Sequence, residues 1–394
     1  MEKKHFFAPC ACKHKRAVST ISRRNDAAII FFASLISCCK TLLMSNSSGT
    51  IGNVASPHVL VQLAMGYGRS RALCAAARLE IADYFDGGEK TVAQLALACK
   101  ADEASLYRLL RALASFGIVS ETAPSKFVLT PLGAPLRKNA PDSAWAAIIF
   151  WADLLADQWS YLTECVQTGQ GAPRLMEQKH AVSRWSSDPN APAIFRAVMG
   201  TAPKENYMPI ARAWDFSIYG CVADLGGGGG ALIAAILEAF PNMRGILVDR
   251  TESIARAQAR FQSAELAGRC QLLASDLCES VPAGADIYIL KHVLHGCADE
   301  AAIGILRNCR RVVPPSGRVL IIEFVLPEKV THPDPQLEGR LMSDLNMLVV
   351  TGGKERTEQA WRALLKSSGF ECQAIIPVPG EAVTIIEAVV KIAA

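Results

Sequence analysis

From about Pro57, apolar residues recur at three- and four-residue steps through VLVQLAMGYGRSRALCAAARLEIADYF, which predicts several turns of amphipathic helix. Next comes TVAQLALACKADEASLYRLLRALASFGIVSETAPSKFVLTPLGAPLR. It reads as a helix starting at Thr91, a turn, a second helix capped by Asp102 and ending near Gly117, and two short strands, IVSE and KFVLT, closed by TAPS. That order is a winged helix. Residues 140–215 keep a helical period, with Trp145, Trp151 and Trp159 at near-helical spacing, a stripe read first as core and in part as the roof of a pocket.

After Asp215 the pattern alternates. GCVADL, RGILVD, CQLLASD, ADIYILKHVLH and GRVLIIEFVLP read as strands. The segments between them, ALIAAILEAF, ESIARAQARFQSAELAG and DEAAIGILRNCRRVV, read as helices. RTEQAWRALLKSSG is a last helix before the strands CQAIIPV and AVTIIEAVVKI. Strand–helix alternation predicts a parallel, doubly wound α/β sheet, with ligands beyond the carboxyl ends of its strands. Only PGEA separates the last two strands, so they form a hairpin that sets an antiparallel strand in the sheet.

Composition narrows the function classes. The 394 residues are 51% hydrophobic and 20% charged, as expected of a globular chain of roughly two or three domains. The net charge of +4 is concentrated at the start: residues 1–44 hold eight Lys/Arg and two acids, the remainder 33 and 35. The body is nearly neutral, which argues against nucleic-acid or acidic-membrane partners. The second helix of the winged helix has only Arg108 and Arg111, beside Asp102 and Glu103, so packing and dimerisation are expected of it before DNA binding. The apolar run Ala27–Cys39 has 13 residues, short of the ~20 that span a bilayer. It has two readings, an export signal with a lipobox-like LISC or sequence ahead of a true start at Met44; a tail that is made is expected to be disordered. The thirteen cysteines include no CxxC pair with a matching partner, so they read as isolated thiols in a reducing cytoplasm rather than a disulfide or zinc framework.

Chemistry concentrates in CVADLGGGGGALIAAI, residues 221–236. The five glycines, Gly226 to Gly230, are pinned between a strand and a helix, so they are not a linker. Glycine there lets a ligand approach the helix N-terminus. Gly226, Gly228 and Ala231 fit the dinucleotide fingerprint, and Asp249, 25 residues after Asp224, is placed for a ribose. A dinucleotide and S-adenosylmethionine both satisfy this spacing. Asp224 would repel a pyrophosphate but pair with the ammonium of a methionine moiety; with the terminal hairpin it favours S-adenosylmethionine.

With VADLGGGGG, ILVD, LLASDL, YILKHVLH, LIIEFVLP and GGKERTEQAW in place, the chain from about Pro57 to its end resembles the small-molecule O-methyltransferase family, which includes caffeate, flavonoid, hydroxyindole and bacterial polyketide enzymes. The resemblance implies a Rossmann-like class I methyltransferase domain over 216–394, preceded by a helical, winged-helix dimerisation and substrate-roof domain over 56–215, with 1–55 as tail or over-long start. It implies a homodimer, S-adenosylmethionine as methyl donor, a hydroxylated aromatic or polyene acceptor, and no metal. Gly226 and Gly228, with Asp224, would hold the methionine part, Asp249 the ribose, Asp276 and Leu277 the adenine, and Lys291 would lie beside the cofactor. His295 would be the general base, bracketed by Glu323 and Glu355; Glu355 is also open to a reading as mere support for the next helix. His292 is the rival base, at a position where the family often has a bulky aromatic, and is read as a packing residue. Met342, Asn346 and Met347, with Phe195 and Met199, are the candidates for the acceptor pocket. The family commonly has a polar residue and Trp after the base, where this chain has Gly296 and Cys297, and Thr or Ser where it has Gly229. Two rival functions stay open at this point: the same fold turned to decarboxylation or hydroxylation, and a DNA-binding regulator.

Overall fold

Seven of the strand-forming runs assemble into one sheet with the order β11-β12-β8-β7-β4-β5-β6. These are β4 (Cys221–Leu225), β5 (Arg244–Asp249), β6 (Cys270–Ala274), β7 (Ile287–Lys291), β8 (Arg318–Glu323), β11 (Phe370–Pro377) and β12 (Thr384–Val390). The structure is a computed structural model that describes residues 57–199, 207–262, 266 and 268–391, and the backbone alone at 196, 199 and 336. The basic tail, with its two readings, lies outside the described residues. Residues 57–65 and the described residues from Gly66 onward belong to separate units.

β6, β5, β4, β7 and β8 are mutually parallel, and β12 runs antiparallel to both of its neighbours, as the terminal hairpin requires. β4 is central, and its flanking strands lie on opposite sides, so the glycine run sits at the switch point where ligands enter such sheets. One face is closed by the helix Ala231–Ala239, whose residues 231–237 are all buried, and the other by Asp299–Val312 and Glu358–Ser367. Residues buried on both faces explain why these strands read as unbroken apolar runs.

In the N-terminal part, local chemistry sets the helix starts. The Thr91 hydroxyl accepts the Gln94 amide while the Gln94 side chain accepts the Thr91 amide, and Val92–Cys99 follows. Asp102 accepts the Ser105 amide at 2.8 Å and begins Glu103–Ser115. Leu106, Leu110 and Leu113 on that second helix turn into a core with Leu95 and Phe127. The wing is β2 (Val119–Ala123) and β3 (Lys126–Leu129), joined by a third strand, β1 (Lys90–Thr91), too short to show a period.

Four elements depart from the sequence pattern. The tryptophan stripe is not one core face: Trp145 and Trp159 are partly buried, whereas Trp151 is 47% exposed. A π-turn, Phe150–Leu154, inserts a residue and rotates the face. It also buries Asp153 among Arg71, Arg78 and Arg184. The helix expected over 252–268 is Thr251–Ala257 and then a tight turn, Arg260–Gln262. The turn lets Arg260 donate to the Gly229 carbonyl at 2.9 Å and puts the Phe261 ring against Gly230. β7 stops at Lys291, short of His295, and β8 stops at Glu323. Val325–Leu326 (β9) then pairs in parallel with Arg356–Thr357 (β10) outside the main sheet. Among the described residues, all nine cysteines are free, and no helix is long and apolar enough to cross a membrane.

Gly353 is where the β10 segment meets the loop after β7. A Cβ there would fall inside the His295 carbonyl oxygen and 2.7 Å from the Gly296 carbonyl carbon, both backbone atoms that cannot swing aside. Gly353→Ala should therefore lower stability by about 2–4 kcal/mol, read as an earlier urea midpoint at unchanged slope. An unmoved midpoint would show that the two segments do not pack this closely.

Candidate active site

The glycine loop is shaped rather than floppy. Gly226, Gly228 and Gly230 have φ of 73°, 58° and 72°, the left-handed region that suits glycine. The Gly226 amide donates to the Val248 carbonyl at 2.7 Å and ties the loop to β5. A Cβ on Gly226 would meet Val293 at 2.8 Å, and one on Gly227 would enter the Asp224 carboxylate. Around the Cβ position of Gly228 nothing lies within 4 Å. The loop therefore presents backbone, with open space at its tip.

Asp224 lies beneath that loop, 1% exposed, and neither carboxylate oxygen has a hydrogen-bond partner. Burial, with a smaller push from Asp249, holds its pKa up at about 7 against the pull of Lys291. A buried carboxyl without a partner is costly, and a cation placed over it would meet that need. Asp249 ends β5 and uses its two oxygens on the amides of Gly228 and Arg250, at 2.8 and 2.7 Å. Asp276 is exposed and accepts the Cys278 amide, while Leu277 is partly buried, with a methyl 3.8 Å from the Gly226 Cβ position. Lys291 sits 5.3 Å over the Tyr207 ring. Burial lowers its pKa, opposed by Glu323, Asp224 and Glu381.

The second half of the site begins where β7 ends. His292 takes φ of 52°, and the chain turns so that the amides of Val293, Leu294 and His295 converge on Glu323 Oε1 at 3.0, 3.1 and 3.3 Å. Successive amides fanned around an anion form a nest. Glu323 ends β8, and its side chain is 0% exposed. Its Oε2 lies 3.2 Å from His292 Nδ1 and 3.6 Å from His295 Nδ1. His295 Nδ1 is closest to Glu355 Oε1, at 2.8 Å, and that oxygen also accepts the Ser343 hydroxyl at 2.8 Å. His295 therefore stands on a tight turn, Leu294–Gly296, rather than on a strand end. His292 is more than packing, since a buried carboxylate faces its ring. Burial pulls the His295 pKa down, but the Glu355 hydrogen bond and the charges of Glu323 and Glu355 outweigh it, so it lies above the ordinary value.

A clamp closes over this loop from the other side. Lys354 donates its amide to the His295 carbonyl at 2.8 Å. The buried Arg356 guanidinium reaches the carbonyls of Leu294 and Cys297 at 3.0 and 3.1 Å and pairs with Asp299 at 2.9 Å. Asp344 accepts the Glu355 amide at 2.8 Å. Ser343, Asp344 and Arg356 were not singled out in the sequence. The only hint was charge crowded into GGKER just before a capped helix.

The acceptor-pocket candidates are less united. Met342, Asn346 and Met347 share the helix Pro335–Val350 with Ser343. Met342 is 44% exposed, whereas Asn346 is buried and its Oδ1 accepts the Trp159 indole N–H at 3.3 Å. Met347 is partly buried, and its carbonyl accepts the amides of Thr351, Gly352 and Gly353. Phe195, 40% exposed, packs edge-on to Trp185 and against Phe150. The Met199 side chain lies outside the described residues.

Residues 61–138 match the model of the O-methyltransferase dimerisation domain, and residues 159–371 that of the O-methyltransferase domain. The chain is 35% identical over 340 residues to phenazine O-methyltransferase PhzM of Lysobacter antibioticus, covering 86% of this chain and 97% of that protein. The solved structure of mitomycin 7-O-methyltransferase MmcR superposes with a TM-score of 0.77 at 32% identity, over 87% of this chain and all of that one. That of NcsB1 from neocarzinostatin biosynthesis, in complex with S-adenosylmethionine and 2-hydroxy-5-methyl naphthoic acid, superposes with a TM-score of 0.69 at 30% identity, over 82% and 96%. The winged-helix segment thus falls in a dimerisation domain, and neither the decarboxylase or hydroxylase reading nor the DNA-binding one gains support. The chain belongs to the O-methyltransferase family of S-adenosylmethionine-dependent methyltransferases.

Proposed function

We propose that this enzyme methylates a hydroxyl on a flat aromatic small molecule, with His295 as general base and Glu355 as the group that orients it. The observation that carries the reading is the 2.8 Å contact between His295 Nδ1 and Glu355 Oε1, which leaves Nε2 to face an acceptor. Relatives named for phenazine and naphthoic acid substrates support an aromatic acceptor. The match over 61–138 supports a homodimer; the proposed division is a dimerisation and roof part, 56–215, and a catalytic part, 216–394, while the matched O-methyltransferase domain begins earlier, at 159.

The residues fit the donor. Asp224 offers an unpartnered buried carboxyl to an ammonium, the backbone of Gly226 and Gly228 leaves room above it, and Asp249 stands at the end of β5 for a ribose. Asp276, Leu277 and Lys291 lie along the same rim. Bound S-adenosylmethionine supplies a methyl group already activated on a sulfonium. The chain must then hold the acceptor in line with that methyl and take up the hydroxyl proton. A phenol titrates near ~10, so an imidazole of raised pKa is a suitable acceptor for its proton. Glu355 and Glu323 stabilise the imidazolium that forms, and Met342, Met347, Asn346, Phe195 and Met199 are proposed to shape the acceptor side.

Two predictions follow from the two halves. For Asp224, the folded carboxyl titrates at about 7 against 3.8 in an unfolded chain, so the folded apo protein keeps a proton that the unfolded chain loses. Apo stability should fall as pH rises from about 4 to about 7 and then level off, by roughly 4 kcal/mol in all. Asp224→Asn should match the parent near pH 4, melt later than it at pH 8, and bind S-adenosylmethionine at least tenfold more weakly by calorimetry. Equal affinity would remove Asp224 from the donor site. For the base, His295→Ala should lower kcat by about 10²–10⁴-fold with donor affinity unchanged. In the parent the rate should rise with pH through a pKa above ~6.5, and Glu355→Gln, which removes a charge, should move that pKa downward. A profile unmoved by Glu355→Gln would reduce Glu355 to a support for the following helix.

A further inference from the structure

We propose that His292, His295 and Glu323 form a binding site for a first-row divalent cation, zinc above all, and that its occupation switches the base off. The proposal goes beyond methyl transfer, and its binding arm does not depend on that reaction.

The donors are preset. Three backbone amides hold Glu323 Oε1, which leaves Oε2 turned toward both imidazoles, 3.2 Å from His292 Nδ1 and 3.6 Å from His295 Nδ1. Around a tetrahedral zinc, with bonds of about 2.0–2.2 Å, neighbouring donors stand roughly 3.3–3.6 Å apart. The two carboxylate–imidazole separations already match. One ring nitrogen of each histidine and one Glu323 oxygen lie within 4.8 Å of one another, so the widest gap needs to close by up to about 1.2–1.5 Å. The rings are stacked, with centroids 5.1 Å apart at 29°, and the His292 side chain is 30% exposed, so it has room to make that adjustment.

Charge points the same way. The side chains of Glu323 and Glu355 are both 0% exposed, and among the described residues their close charged partners are imidazoles, His292 and His295 for Glu323 and His295 for Glu355, with Lys291 acting on Glu323 from farther off. Glu355 Oε2 has no hydrogen-bond partner at all. Buried carboxylates are held by a pairing cation or by a metal. Two imidazoles and a carboxylate suit zinc, cobalt, nickel or copper, and are a poor match for magnesium or calcium, which take oxygen donors.

The consequence for the base is tautomeric. A neutral imidazole that binds a metal through Nδ1 keeps its one ring proton on Nε2. Nε2 then donates and cannot accept the hydroxyl proton. The metal also takes the Nδ1 position that Glu355 now holds. The bound state is therefore inhibited, and no group is oxidised or reduced in forming it.

The test uses the full chain freed of metal, with cobalt as spectroscopic probe and zinc as inhibitor. Cobalt should bind one equivalent with the visible absorption of a four-coordinate ion and no sulfur-to-metal charge-transfer band. His292→Phe, a flat ring with no donor, should abolish that spectrum while melting cooperatively. Zinc should inhibit methyl transfer by the parent, and the zinc concentration for half inhibition should rise at least tenfold in His292→Phe, each protein referred to its own metal-free rate. A thiolate band, or the same spectrum in His292→Phe, would give the metal to cysteines or to another site and overturn the proposal. No cobalt uptake by the parent would overturn it as well. Should methyl transfer itself not be found, the cobalt spectra still decide the question.

Discussion

The site depends on one carboxylate taken wholly out of water. Glu323 is placed at the carboxyl rim because β8 runs beside β7 with Lys291 opposite Ile322, so the next residue of β8 projects where β7 ends. A buried carboxylate there needs donors, and no Arg or Lys among the described residues lies within 4 Å of it. The chain supplies three backbone amides instead, and reaching them takes a left-handed residue at His292, at a cost of roughly 1–2 kcal/mol. That turn ends β7 and swings His295 onto Glu355. The position of His295 is thus a by-product of solvating Glu323.

The two halves of the site are coupled through few atoms. Lys291, the last residue of β7, interacts with both Asp224 under the glycine loop and Glu323 under the base. Val293, one of the three amide donors, also stands where a side chain on Gly226 would be, so the glycine there lets the loop and the turn approach each other. Arg356 completes the frame by fixing the carbonyls of the turn while the nest fixes its amides. The turn after β7 is therefore held from both faces, which suits the role proposed for His295, since a base must stay in line with a methyl group.

How much of this could be read in advance depended on distance along the chain. Thr91 and Asp102 mark helix starts through partners three residues away, and the sequence shows both. The glycine run with Asp224 is local in the same sense. Family resemblance points to His295, but its setting on a turn is not legible, because the residue that bends the strand away, Glu323, comes 28 positions later and is itself buried in an apolar run. Ser343, Asp344 and Arg356 leave no local signal for the same reason: their partners are backbone atoms, Glu355 and Asp299, brought together only by folding. Trp151 failed differently. A π-turn leaves no mark in an apolar period, yet it shifts every side chain after it.

The presence of two acids beside one histidine carries a cost as well as a benefit. Glu355 alone would orient the ring and raise its basicity, and Glu323, already required by the sheet, adds a second negative charge at 3.6 Å. Both favour the imidazolium over the imidazole, which helps proton uptake. The same field favours any cation able to reach the ring, and His292 adds a donor on the exposed side. Physical selection between a proton and a metal then rests on His292 and not on the acids. The proposed base, made strong by buried carboxylates, is by the same electrostatics open to the proposed capture by a divalent ion, and His292, next to the strand end, sets how open it is.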